Sequence, residues 1–316
     1  MIIVSEDQIR AVLDPQLAFD AVRNVFKSME SGAWNFPVVR EALGYQDALY
    51  GFKSGFDPSS GALGLKSGGY WPNNSSVGIA NHQSTIFLFD PDTGQCQAAM
   101  GGNVITALRT AAAAAVSIDI LARPDVRILG LIGTGHQSPF QLEAALRVRD
   151  FTEVRIWNRS QRSLERHHQI AVQHGVKCRE VTLEEAIVDS DTLITITSSF
   201  QFIVPENLVP DGCHVACMGT DTKGKQEVDP NLLLKASRFT DELVQSRTIG
   251  ECQHIDAKLH VSTLGAVLSG SASGRKTSSE ITLFDGTGVG LQDLACAQAV
   301  VSAIDVNDPS QVQVSL

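Results

Sequence analysis

Hydrophobic and polar positions change period several times along the chain, and each change predicts an element. A four-residue apolar run at the start gives way to the polar stretch SEDQIR. Pro15 behind Asp14 then opens a helix, because Asp is a strong N-cap and Pro fits the first turn. Its apolar face is Leu17, Ala21 and Val25 with Ala18, Val22, Phe26 and Met29, spaced three and four apart. From about 35 to 101 the period shortens to short runs with turns: ALYGFKSGF, ALGLKSGGYW and STIFLFD, then PDTG, which together predict a small antiparallel sheet. NVITALRTAAAAAVSIDILA reads as a long helix of strong helix formers, with small side chains that permit close packing. Beyond Pro124 the order is VRILGLIG, QSPFQLEAALRVR, EVRIWN, SLERHHQIAVQHG, TLITITS and HVACMG. Short apolar runs alternating with helical segments predict a parallel sheet with crossover helices. The last segment, GLQDLACAQAVVSAIDV, is an apolar helix in need of a partner.

The expected fold class is therefore α/β: a doubly wound parallel sheet over 118–290, and a smaller α+β domain of 1–117 closed by 291–316. A 316-residue chain with 43% hydrophobic content is long enough for two such cores. A net charge of -10 offers no basic face for phosphates, so nucleic acid is not an expected partner. The N-terminus lacks the basic and long apolar regions of a signal peptide. No apolar run reaches membrane-spanning length, since Ser117 and Asp119 interrupt the alanine-rich one, and a soluble cytoplasmic protein is expected. The six cysteines, at 96, 178, 213, 217, 252 and 296, form no C-x-x-C pair, which suits buried thiols in a reducing compartment. Cys213 and Cys217 flank His214, but CHVACMG alternates as a strand does, and no metal site is expected.

LGLIGTGHQSPF sets Gly133, Gly135 and Ser138 after a strand and at the start of a helix. Gly133 allows the tight turn, Gly135 admits a pyrophosphate close to the backbone, and the helix N-terminus supplies amides. At the end of the next strand an acid would bond the ribose of NAD. WNRSQRS has instead Asn158, Arg159, Ser160 and Arg162, which leans toward NADPH while leaving NADH open.

The first domain offers four cations to a substrate, Arg40, Lys53, Lys66 and Arg109, and the two lysines sit among apolar and glycine neighbours where a solubilising charge is out of place. Arg109 lies on a helix among Ala, Leu and Thr, so its charge needs a partner: a substrate carboxylate held bidentately or a structural acid. Lys66, between Leu65 and Ser67, would have its pKa lowered by desolvation and be prepared for proton transfer.

LGLKSGGYWPNN, LFDPDTGQ, ITALRTAAAAAVS, LIGTGHQS, MGTDTKGKQEVDP, GECQH and ITLFDGTGVGLQDLA, in this order, resemble the ornithine cyclodeaminase and mu-crystallin family across almost the whole chain. The resemblance implies a Rossmann-type domain, a discontinuous substrate and dimerisation domain, a homodimer, a nicotinamide nucleotide and chemistry on small imino or amino acids. It makes Lys66 the catalytic lysine, Arg40 and Arg109 the carboxylate arginines, and Asp221 the acid that assists proton transfer. Lys53 has no counterpart in that pattern. The implied cofactor-binding set is Arg109, Thr110, Gly133, Gly135, His136, Gln137, Asn158, Arg159, Ser160, Thr197, Ser198, Ser199, Met218, Gly219, Thr220, Lys223 and Gly288. MGTDTK and the DGTGVG glycines, Gly286, Gly288 and Gly290, would wall the nicotinamide. Within the family the wording NFPVVRE, DALYGFKSG and NHQSTIFLFDPDTG resembles reductases that turn iminosuccinate into L-aspartate. A second substrate carboxylate needs further donors, which Lys53, Asn81, His82 and Ser84 supply. The alternatives are an ornithine cyclodeaminase, a cyclic ketimine (pyrroline-2-carboxylate) reductase and a non-catalytic nucleotide-binding crystallin-like protein.

Overall fold

The structure, a computed structural model, describes residues 1–160, 163–305 and 311–315. The chain divides into two compact units, Met1–Arg109 with Val289–Leu316, and Thr110–Gly288. These divisions differ from those drawn at 117 and 290. The first falls inside an unbroken helix, where the residue pattern carries no punctuation.

In the first unit β1 (Ile2–Val4) leads into α1 (Glu6–Val12), where Ser5 and Gln8 form a capping box; SEDQ is thus a helix start. In α2 (Pro15–Glu30) the Asp14 carboxylate accepts from the Leu17 amide at 2.8 Å. Its buried stripe is Ala18, Val22, Val25 and Phe26. There follow β2 (Trp34–Asn35), β3 (Val39–Ala42), β4 (Leu49–Asp57), β5 (Ala62–Tyr70), β6 (His82–Phe89) and β7 (Cys96–Gly101). They form one sheet in the order β1-β7-β6-β5-β4-β2 with β3 on β4, antiparallel except where β1 meets β7.

Helix α3 (Asn103–Leu121) begins on the Glu6 carboxylate, which accepts from the Asn103 and Val104 amides at 2.8 and 3.0 Å, an anion at the positive end of the helix. Contrary to the expectation drawn from Ser117 and Asp119, α3 is long and apolar enough to cross a bilayer, but 78% of that stretch is buried in the protein.

The second unit runs β8 (Ile128–Ile132), α4 (Ser138–Val148), β9 (Glu153–Trp157), α5 (Glu165–Gln173), β10 (Lys177–Glu180), α6 (Leu183–Ile187) and β11 (Thr192–Thr195). After β12 (Phe200–Val204) come β13 (His214–Cys217), β14 (Gln226–Val228), α7 (Pro230–Lys235), β15 (Ser237–Thr240) and α8 (Leu243–Ile249). It ends with β16 (Ser262–Thr263), α9 (Leu264–Ser269) and β17 (Thr282–Asp285). The main sheet, β10-β9-β8-β11-β13-β17-β15-β16, is parallel at every pairing. This is a Rossmann-type doubly wound domain. Strands β11, β13 and β17 are buried at every position, as a parallel sheet covered on both faces requires.

The chain then returns to the first unit as α10 (Gly290–Ala303), and β18 (Val312–Gln313) pairs antiparallel with β1. Helix α10 packs on α2, β4 and β5. It can do so because the sheet presents glycine there: a Cβ on Gly55 or Gly64 would fall 2.9 Å from Leu291 Cδ2 or 3.0 Å from Leu294 Cδ2.

Candidate active site

The two K-S-G runs become one feature of the sheet. Strands β4 and β5 pair so that Lys53 stands directly opposite Lys66, on one face and with Cβ atoms about 5 Å apart. Both are buried, at 8% and 6% exposure, and two like charges there are unfavourable without an anion.

Asp293 supplies it from the first turn of α10, with no exposure. Lys66 Nζ donates to Asp293 Oδ1 at 2.9 Å, lies 2.8 Å from Oδ2, and donates to Thr106 Oγ1 at 3.1 Å. Arg109 Nε donates to the same Oδ1 at 2.9 Å, and its Nη1 to Gln292 Oε1 at 3.3 Å. Burial, then Arg109 and Arg40, lower the Lys66 amine to about 8, against the opposing pull of Asp293. Burial pushes the Asp293 carboxyl up, but Arg109, Lys66 and Lys53 outweigh it and hold the group below the ordinary carboxylate value. An amine with this pKa changes protonation state near neutral pH, so it can deliver and recover a proton.

Arg40, on β3, and His82, on β6, belong to the same field. His82 is lowered to about 4 by burial and then by Lys66 and Arg109, so it is a neutral imidazole at physiological pH. Asn81 and Ser84, expected to face a substrate, are engaged structurally. Asn81 braces the turn after β5 through the Ser75 amide, Tyr70 Oη and Pro72 O. The Ser84 amide donates to Asn103 Oδ1 at 3.1 Å. At Gly290 a Cβ would fall 2.7 Å from Ser54 N, so the glycine lets α10 touch β4.

In the second unit Gly133 has φ +108°, and a Cβ on it would fall 2.6 Å from Ile196 O, whereas Gly135 faces open space. Thr134 Oγ1 and Gln137 Oε1 are buried without a hydrogen-bond partner. A tight turn, an open glycine and the unused Thr134 hydroxyl at the start of α4 fit a dinucleotide phosphate. Ser138 is instead engaged, its hydroxyl 2.9 Å from His167 Nε2.

Strand β9 ends without an acid: Asn158 donates to Ser160 O, Arg159 and Ser160 are exposed, and Arg162 lies outside the described residues. Beyond β11 the Thr197 amide donates to Glu227, and Ser199 Oγ to Gln201 O at 2.6 Å; Ser198 lies between them. Met218 donates its amide to Thr195 O at 2.8 Å and Gly219 to Glu227 Oε2 at 2.8 Å. Asp221 accepts from Lys225 Nζ at 2.8 Å, and Lys223 is exposed. Gly288, at φ +75°, donates to Asp241 Oδ2 at 2.6 Å. His214 is held by Ser117 Oγ and Thr282 Oγ1 at 3.1 and 2.9 Å, a core histidine lowered to about 3 by burial, then Arg275.

The family model for the ornithine cyclodeaminase/mu-crystallin family matches residues 9–307. The iminosuccinate reductase of Paracoccus denitrificans is 53% identical over 307 residues, which is 95% of this chain and 96% of that one. The crystal structure of the Paracoccus enzyme in complex with NAD+ superposes with a TM-score of 0.90 at 52% identity, over 96% of both chains. An archaeal alanine dehydrogenase dimer with bound NAD superposes with a TM-score of 0.90 at 30% identity, over 99% of both chains. The chain belongs to the ornithine cyclodeaminase/mu-crystallin family.

Proposed function

We propose that this protein is a nicotinamide-dependent imino-acid reductase that converts iminosuccinate into L-aspartate. The observation that carries the chemistry is Lys66, a buried amine of pKa about 8 bonded to Asp293 beside Arg109. The 53% identity to the Paracoccus enzyme supports the substrate. The coenzyme, when bound by the second unit, supplies a hydride to the imine carbon.

Arg109 and Arg40 hold the carboxylate next to that carbon. Lys66 gives its proton to the nitrogen, directly or through a water, and is recharged from solvent. Lys53, on the same face as Lys66, pairs with the second carboxylate, and His82, neutral, donates a hydrogen bond. Asp221 orients or relays on the strength of the family resemblance. The first unit thus serves as substrate and dimerisation domain and the second as dinucleotide domain. Thr110, Gly133, Gly135, His136, Gln137 and Gly288 belong to the proposed coenzyme set with the loops at 158–160, 197–199 and 218–223.

The donors at 158–160 support NADPH, while the Paracoccus relative holds NAD+; kcat/KM with each reduced coenzyme measures the preference. All six cysteines are free, which supports a reducing, cytoplasmic location. Followed by coenzyme absorbance, oxaloacetate with ammonium should be reduced, and cyclic ketimines poorly. Lys66→Ala should lose about a hundredfold or more of this rate, the ordinary worth of a placed acid, while still binding coenzyme. Ammonia release from L-ornithine without net coenzyme turnover would replace the proposal with a cyclodeaminase. No turnover of any substrate would leave a binding protein.

A further inference from the structure

Helix α10 meets Arg109 with two adjacent side chains of its first turn, Gln292 and Asp293, both fully buried. Asp293 Oδ1 accepts from Arg109 Nε at 2.9 Å, and Gln292 Oε1 accepts from Arg109 Nη1 at 3.3 Å. The acid also serves Lys66. The amide has no second partner: Gln292 Nε2 is buried and, among the described residues, makes no hydrogen bond.

The orientation of this amide is dictated by its partner. A guanidinium offers donors only, so the oxygen of Gln292 must face Arg109 and the NH2 must face elsewhere. The oxygen and nitrogen of one amide lie about 2.2 Å apart, which keeps Nε2 no more than about 5.5 Å from Arg109 Nη1. A buried donor without an acceptor lowers stability, and an apolar side chain of the same length would avoid that loss. One carboxylate, Asp293, answers both Lys66 and Arg109 and lies in the field of Lys53 as well, so a further anion is favoured beside them.

We propose that Gln292 is a substrate-recognising residue: while Oε1 holds Arg109, the hydrogens of Nε2 donate to the same α-carboxylate that the arginine binds. This rests on the reading of Arg109 as the carboxylate arginine of the proposed reductase. A carboxylate offers roughly four lone-pair sites, so it can accept from the guanidinium and from the amide together. Glutamine suits the position because it is neutral and carries an acceptor for the arginine and donors for the ligand. A glutamate would neutralise Arg109 and repel the substrate, and a lysine would repel Arg109.

Calorimetric titration of L-aspartate into the protein loaded with oxidised coenzyme tests this. Gln292→Met, similar in length but without hydrogen bonds, should weaken L-aspartate by about tenfold, the worth of one bond to a charged group, while the ligand-free protein melts close to wild type. Gln292→Glu keeps an acceptor for Arg109 but loses the donor, and should bind more weakly still. In the proton–nitrogen correlation spectrum of the glutamine side chains, the signals missing from Gln292→Met should move downfield when L-aspartate binds the wild type. Unchanged affinity in Gln292→Met, wild-type affinity in Gln292→Glu, signals that stay in place, or a wild type that does not bind L-aspartate each overturn the proposal. L-Aspartate binding that depends on Gln292, in a protein that reduces no imine, would remove the reductase reading and leave this one standing.

Discussion

Lys66 and Asp293 act as a unit, so removing the acid should do two things. Asp293→Asn leaves Lys66 and Arg109 buried without their anion and should cost about 3 kcal/mol or more of unfolding free energy, read from denaturant melts. Asp293 raises the Lys66 pKa, so its loss lowers it. The proposed reduction uses protonated Lys66; its rate should therefore fall as pH rises through about 8, and in Asp293→Asn the same limb should appear at lower pH. A pH–rate profile that does not move would detach the acid from the proton transfer.

Lys53→Ala should raise KM for a dicarboxylic substrate by about tenfold, one charge-assisted bond, and for a monocarboxylic one much less. Equal losses would make Lys53 a structural residue. Lys66 was legible in the sequence because a charge among glycines and leucines is out of place. Asp293 carried the same signal, a lone acid in the apolar run GLQDLACAQAVV. It was missed because its partner lies 227 residues away and an acid in a first helical turn also reads as a simple dipole contact.

At the scale of elements, periodicity located α2, α3, the antiparallel strands and the alternating strands and helices of the second unit. What it did not show was register, and register is where the site comes from. The pairing of Lys53 with Lys66 follows from a turn at Pro58–Gly61 that no pattern of apolar residues specifies to the residue. The hydrogen bonds of Asn81 and Ser84 were not legible for a related reason: polar groups near a strand end are as useful to a turn as to a ligand. Packing of α10 on the sheet depends on Gly64, where a Cβ would also fall 2.2 Å from Phe87 O. Gly64→Val should lower stability by about 1–3 kcal/mol by overpacking. It should also reduce turnover, because α10 carries Asp293. Normal turnover with lowered stability would show that the helix can shift without disturbing the acid.

For the whole molecule, the face of β4 opposite the lysines is apolar and open. Tyr50 and Phe52 are 41% and 40% exposed, with Val39 on β3 at 37%. A contiguous exposed apolar face of this kind suits association, and the proposed homodimer would cover it. Phe52→Glu should then shift sedimentation toward monomer, while a wild type that sediments as a monomer would remove the need for a partner there. Composition set an outer limit at this scale, since a net charge of -10 made nucleic acid an unexpected partner. Where the two units divide was less legible because α3 passes the boundary without a break.

The opposed lysines have a consequence for how this scaffold diverges. A lysine codon becomes a glutamate codon by one base change, so under the proposed role of Lys53 a single mutation there would reverse the charge offered to a substrate's far end. The residue across the ladder keeps its chemistry. A pocket wired in this way can pass from acidic to basic side chains in one evolutionary step, without rebuilding the machinery that moves the proton.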